Sequence, residues 1–225
     1  QMWSRVFDFG NGEGKNNVVL SNNAKSPDLA FQNFLKSHQM VQIPDFWELG
    51  NWIHIVCQVH ESGKSDVFKN GKLVVSQNKQ LTSKIMRTSQ LFGKSNWGGD
   101  RFFNGELDDI RLYDRAITEG EVQALFAMGS VTLESVLKSP ELLNNNGLLS
   151  WWKFDETGGK VANDATGKNR NAELKNFISE GAHFSKGIIG NCLNFDGKDD
   201  WVSVDPNLFE KNIFKEGITV CAWAK

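Results

Sequence analysis

From Trp3 to Ala224 the chain is written in short apolar–polar alternations broken by Gly, Asn and Asp. Alternation puts successive side chains on opposite faces of a strand, and turn residues recurring about every 8–12 positions keep each strand short. In SDVFKNGKLVVSQ, Asn70-Gly71 separates two apolar runs, and this dipeptide accepts the positive φ of a tight hairpin turn. QMWSRVFDFG sets Trp3, Arg5, Phe7 and Phe9 against Ser4, Val6 and Asp8. NWIHIVCQVH sets Ile53, Ile55, Cys57 and Val59 against His54, Val56 and Gln58. NVVLSN, LAFQNFL, HQMVQI, QLFGKS, RFFNGELDDIRLYD, GLLSWWKFDE, CLNFDG, DWVSVD and ITVCAWAK continue the series. The pattern predicts an all-β chain, an antiparallel β-sandwich or jelly roll.

A chain of 225 residues can bury one good core, or two small ones. With 25 basic and 27 acidic residues and no basic run, neither nucleic acid nor an anionic membrane surface is an expected partner. The apolar runs fall far short of a membrane span, so no insertion is expected, and no secretory signal opens the chain. Cys57, Cys192 and Cys221 lie far apart in apolar runs, which predicts small buried thiols rather than a disulfide framework or zinc site. One helix is expected in AITEGEVQALFAMG: Thr118 and Glu121 have capping-box spacing, Val122, Leu125 and Phe126 share a face, and Gly129 would close it. Residues 129–145, with Pro140 and Asn144–Asn146, read as a connector.

These strings carry a family resemblance. NWIHIVCQV, SDVFKNGKLVVS, LFGKS and RFFNGELDDIRLYDRAITEGEV resemble the C-terminal half of a laminin-G-like, concanavalin A-like jelly roll. GLLSWWKFDETGGKVANDATGKNRNAEL, CLNFDGKDDWVSV and ITVCAWAK are similar to the N-terminal half of the same family. The halves stand in reversed order. The resemblance therefore implies one circularly permuted sandwich, from residues 1–128 and 146–225, with Lys225 and Gln1 facing each other across a strand–turn–strand junction. A monomer closed by both halves is expected over a dimer swapped between two chains, because either half alone would expose sheet edges.

Some jelly-roll glycanases carry their acids as Glu-x-Asp-x-x-Glu. GELDDIR places Glu106 and Asp108 on one face but has Arg111 at the sixth position, so the second acid is missing. His38, His54, His60 and His183 show no ligand spacing, and no catalytic residue is identified. The family resemblance implies a structural Ca2+ on Asp108, Asp155 and Asp164, with Glu156, Asn169 and Asn171 nearby. The competing reading is that DETG and DATG are Asx turns, and DGKDD at 196–200 is open to the same two readings. Sugar-binding modules pack pyranose faces on aromatic rings. Trp47 and Trp97 fall in loop-like stretches and are the ligand-binding candidates, with Asp100 and Arg101 as polar neighbours. Trp52, Trp152, Trp201 and Trp223 fit strand patterns and read as core, whereas Trp3 and Trp151 stay open. The resemblance implies a non-catalytic recognition or adhesion module in an extracellular or cell-surface setting, binding carbohydrate or a protein surface. A structural repeat and a glycan-active enzyme are its rivals.

Overall fold

The computed structural model describes residues 2–34, 38–78, 85–130, 145–177, 181, 183–205 and 217–225. Nine strands come first: β1 (Arg5–Gly10), β2 (Val18–Asn22), β3 (Leu29–Phe34), β4 (His38–Ile43), β5 (Ile53–His60), β6 (Lys64–Lys69), β7 (Lys72–Asn78), β8 (Ser89–Phe92) and β9 (Asn104–Tyr113). Helix α1 (Glu119–Ser130) follows. Then come β10 (Leu148–Trp152), β11 (Val161–Ala162), β12 (Ala172–Lys175), β13 (Phe184–Lys186), β14 (Asn191–Asp196), β15 (Trp201–Val204) and β16 (Gly217–Ala224).

All pairings are antiparallel and build two sheets. The first runs β11-β12-β15-β8-β1-β2-β3-β4; the second runs β13-β14-β9-β16-β5-β6-β7, with β10 also on β9. Both sheets combine strands from 1–128 with strands from 146–225, side by side as two blocks in the first and interleaved in the second, so neither stretch completes a sheet alone. The chain is thus an all-β sandwich of jelly-roll type. β16 and β1 lie in different sheets, so a junction between them would cross the sandwich rather than close a hairpin. Most of the connector, residues 131–144, lies outside the described residues.

The core between the sheets includes Phe7, Phe9, Leu20, Phe31, Ile55, Cys57, Phe92, Trp152 and Leu193. β5 alternates as its sequence predicts, with Ile53, Ile55, Cys57 and Val59 inward. In the hairpin turn Asn70 and Gly71 both take positive φ, 50° and 77°. β1 departs from simple alternation. A register shift against β2 between Arg5 and Phe7 turns Arg5 away from Phe7 and Phe9, onto the outward face with Asp8. All three cysteines are free and buried.

Helix α1 covers the outward face of the second sheet, burying Val122 and Leu125 against Val56, Phe68, Tyr113 and Cys221. Its N-terminus is capped reciprocally: Thr118 N donates to Glu121 Oε2 (2.7 Å) and Glu121 N donates to Thr118 Oγ1 (3.2 Å). Gly129 does not close the helix, which runs through it to Ser130. Its lack of a side chain lets the helix approach β16, because a Cβ there would overlap Trp223 and Ile188. Gly129→Ala would stabilise an exposed helix by about 1 kcal/mol. Here it is expected to destabilise by about 2–3 kcal/mol, read as a lower urea midpoint at unchanged slope.

Candidate functional site

The residues expected to bind a ligand fall in separate places. In the first sheet, Phe7, Phe31, Val41 and Val202 face the core, so Asp8, Gln32, His38 and Trp201 face outward. The β8–β9 loop folds over this outward face at β1. Asp8 anchors it, accepting from Asn96 N (2.9 Å), Asn96 Nδ2 (2.9 Å) and Asn17 Nδ2 (2.8 Å). Asp100 accepts from Arg5 Nη2 and Ser95 Oγ, both at 2.7 Å. Burial pulls the Arg5 pKa down, whereas Asp100 and Asp8 hold it up. The guanidinium lies 5.3 Å from the Trp97 ring centroid and 5.8 Å from that of Trp3.

The aromatic row extends both ways from Arg5. Trp97 meets Phe34 at 4.8 Å, and Phe34 stacks on His38 at 4.4 Å and 11°. His38 Nε2 lies 3.0 Å from Gln32 Oε1. Toward the other edge, Lys94 Nζ sits 4.1 Å above Trp201 and 5.8 Å from Phe102. Trp3, Phe34, Trp97, Phe102 and Trp201 are all part-exposed and His38 is exposed. From β15 to β4 the sheet crosses five strand spacings, or roughly 24 Å at about 4.8 Å each.

Of the expected set, Trp97 and Asp100 belong to this row. Arg101 is exposed beside it, its backbone N–H donating to Met2 O (3.3 Å). Trp47 lies apart. It packs against the core and edge-to-face on Phe46 (5.4 Å, 74°), lining a cleft at one end of the sandwich. Trp201 corrects its reading as core, and the signal was present: in DWVSVD, burial of Val202 and Val204 turns Trp201 outward. Trp52 likewise is only half-buried, just ahead of β5. Trp152 and Trp223 are buried as expected, and His54 is structural, packed against Trp223 and Phe126 with its pKa lowered to about 3 by burial and Arg111.

The acidic residues take hydrogen-bonding roles. Asp164 Oδ1 accepts from Trp151 N (3.0 Å), Thr166 N (3.1 Å) and Thr166 Oγ1 (2.8 Å), and its Oδ2 accepts from Arg170 N (3.2 Å). Asp155 Oδ1 accepts from Asn191 N (2.9 Å). Asp108 Oδ2 accepts from Ile188 N (2.8 Å) and Ile189 N (3.0 Å), while its Oδ1 is buried without a partner. A shared cation needs these oxygens gathered and free. Among the described residues, three carboxylates lie mutually within 4.8 Å only at Asp196, Asp199 and Asp200. Asp108, Asp155 and Asp164 therefore do not fit the ion expected of them. Asp196 itself caps a turn, accepting from Lys198 N at 2.8 Å.

Glu106 and Asp108 do share the outward face of the second sheet, both beside Cys192. Glu106 pairs with Lys225 at 3.3 Å. Asp109, at φ 51°, lies at a bulge against β16, and the Trp151 indole N–H donates to it. No helix among the described residues is long and apolar enough to cross a membrane.

No curated protein and no solved structure matches the chain. A laminin G-type family model, that of the concanavalin A-like lectin/glucanases superfamily, matches residues 1–123, more than half of the sequence. That superfamily includes both lectins and glucanases. With two antiparallel sheets and this match in agreement, the chain belongs to the concanavalin A-like lectin/glucanases superfamily.

Proposed function

We propose that this domain is a non-catalytic recognition module that binds carbohydrate along the outward face of its first sheet, in an extracellular or cell-surface setting. The observation that carries this reading is the row of part-exposed and exposed rings from Trp201 to His38, interleaved with Lys94 and Arg5. Flat aromatic faces pack on the apolar faces of sugars, and amides and guanidinium groups take their hydroxyls. The length of the row suits an oligosaccharide more than a single sugar. Arg5 is held between Asp8 and Asp100, so its charge is balanced before any ligand arrives.

Absence of catalysis is supported by the surroundings of Asp108. It is fully buried beneath the turn at 187–190, and Arg111 stands where a partner acid would be needed. On a glycan array, the wild-type domain is expected to bind oligosaccharides. Trp97→Ala and Trp201→Ala are each expected to weaken binding about tenfold, a loss of roughly 1.4 kcal/mol, with melting temperatures close to wild type. Binding untouched by both substitutions would remove the row as the site. Glycan turnover lost on changing Glu106 would remove the non-catalytic reading. A protein partner sensitive to the same two tryptophans would assign the row to protein recognition instead.

A further inference from the structure

We infer that the cleft beside Trp47 is a second binding site, for a small amphipathic anion: an apolar or aromatic body bearing one carboxylate. The cleft holds about 500 Å³, within the size range of small-molecule sites. It opens where the two sheets part, between the β2–β3 turn and the β4–β5 loop. Its floor is hydrophobic core: Val6, Ile53, Phe103 and Ala224, each at most 9% exposed. Trp47 forms a wall, and Leu49 stands at the cleft 99% exposed.

The polar lining separates this site from a sugar site. Ser4 Oγ donates to Phe102 O (3.4 Å), Asn22 Oδ1 accepts from Ser4 N (2.7 Å), and Asn22 Nδ2 donates to Ala24 O (2.7 Å). Glu48 is engaged by Lys69 (2.7 Å) and Asn51 (3.5 Å), and Lys225 by Glu106 (3.3 Å). A pyranose offers several hydroxyls, and these groups have few bonds left to give it. Among the described residues, Lys25 and Asn104 are the lining side chains that carry a charge or amide with no hydrogen bond or ion pair. Lys25 is exposed, and its ammonium is the one uncompensated charge of the cleft. An apolar floor, the free Lys25 cation and the free Asn104 amide together suit a single anionic head on an apolar body.

The test is a titration followed by ligand-detected NMR with three probes: 4-phenylbutyrate, its primary amide, and the neutral disaccharide maltose. For 4-phenylbutyrate, a Kd on the order of 0.1–1 mM is expected from its size. Lys25→Gln, at an exposed side chain without partners, is expected to fold as wild type. It should weaken 4-phenylbutyrate about two- to fivefold and leave the amide unchanged. Trp97→Ala should leave 4-phenylbutyrate and its amide unchanged, which separates this site from the glycan row. No saturable binding of 4-phenylbutyrate would overturn the assignment. Equal affinity for acid and amide would remove Lys25 from it, and displacement by maltose would make the cleft a sugar site instead.

Discussion

Asp164→Ala is expected to destabilise the domain by about 3–5 kcal/mol, roughly 10 °C in melting temperature for a chain of this size. One carboxylate, 7% exposed, accepts from the backbone N–H groups of Trp151, Thr166 and Arg170 and from the Thr166 hydroxyl. Alanine leaves all of these donors without their acceptor, and hydrogen bonds to a charged acceptor are the stronger kind. The effect reaches the core, because Trp152 is paired to Asp164 by an isolated bridge and is itself wholly buried. Asp164→Asn keeps one oxygen and should fall between the two. A melt within about 2 °C of wild type for Asp164→Ala would mean that the segment is held without this carboxylate. Repeating the melts with calcium and with EDTA is expected to leave the ranking unchanged, since the Asp164 oxygens are already engaged.

The second large effect depends on pH. Burial raises the Asp108 pKa to about 7; Asp109 and Asp155 add to the rise, and the N–H groups of Ile188 and Ile189 oppose it. The unfolded carboxyl titrates near 3.9, so from about pH 4 to pH 7 the folded chain binds the additional proton. Stability from this group therefore falls as pH rises through that window, by up to about 4 kcal/mol. Asparagine keeps an oxygen for the two N–H donors and does not ionise. The stability of Asp108→Asn relative to wild type is expected to improve by about 2–4 kcal/mol between pH 4 and pH 8, measured as urea midpoints. A difference that stays flat across the range would show that Asp108 ionises alike in the folded and unfolded chain.

Much of the fold is legible in the sequence. Asn70-Gly71 forms its turn, β5 buries the face its alternation marks, and Thr118 and Glu121 cap α1. Each rests on interactions within a few residues, where spacing along the chain is spacing in space. The sites were less legible. Trp97 and Asp100 were recognisable as loop residues, but Arg5 and Phe34, which hold Trp97, were not. A single bulge in β1 carries Arg5 to the face opposite the one its parity gives, and period-two reading has no means of seeing it. The acidic triplet was misplaced for a related reason. Asp108 and Asp155 meet the 187–191 turn, whereas Asp164 turns back on Trp151 and Arg170.

Short antiparallel strands, the positions of their turns, and the side chains that share a face on most strands are all readable from the amino-acid order. Those follow from backbone geometry and the two-residue period of a strand. Which strands lie side by side emerges in the folded sheets, and with it the row of Trp201, Trp97, Phe34 and His38 and the separate cleft lined by Trp47. The outward face of a sheet is assembled across strands remote in sequence. Its composition is therefore set by strand order and register, which no local pattern encodes.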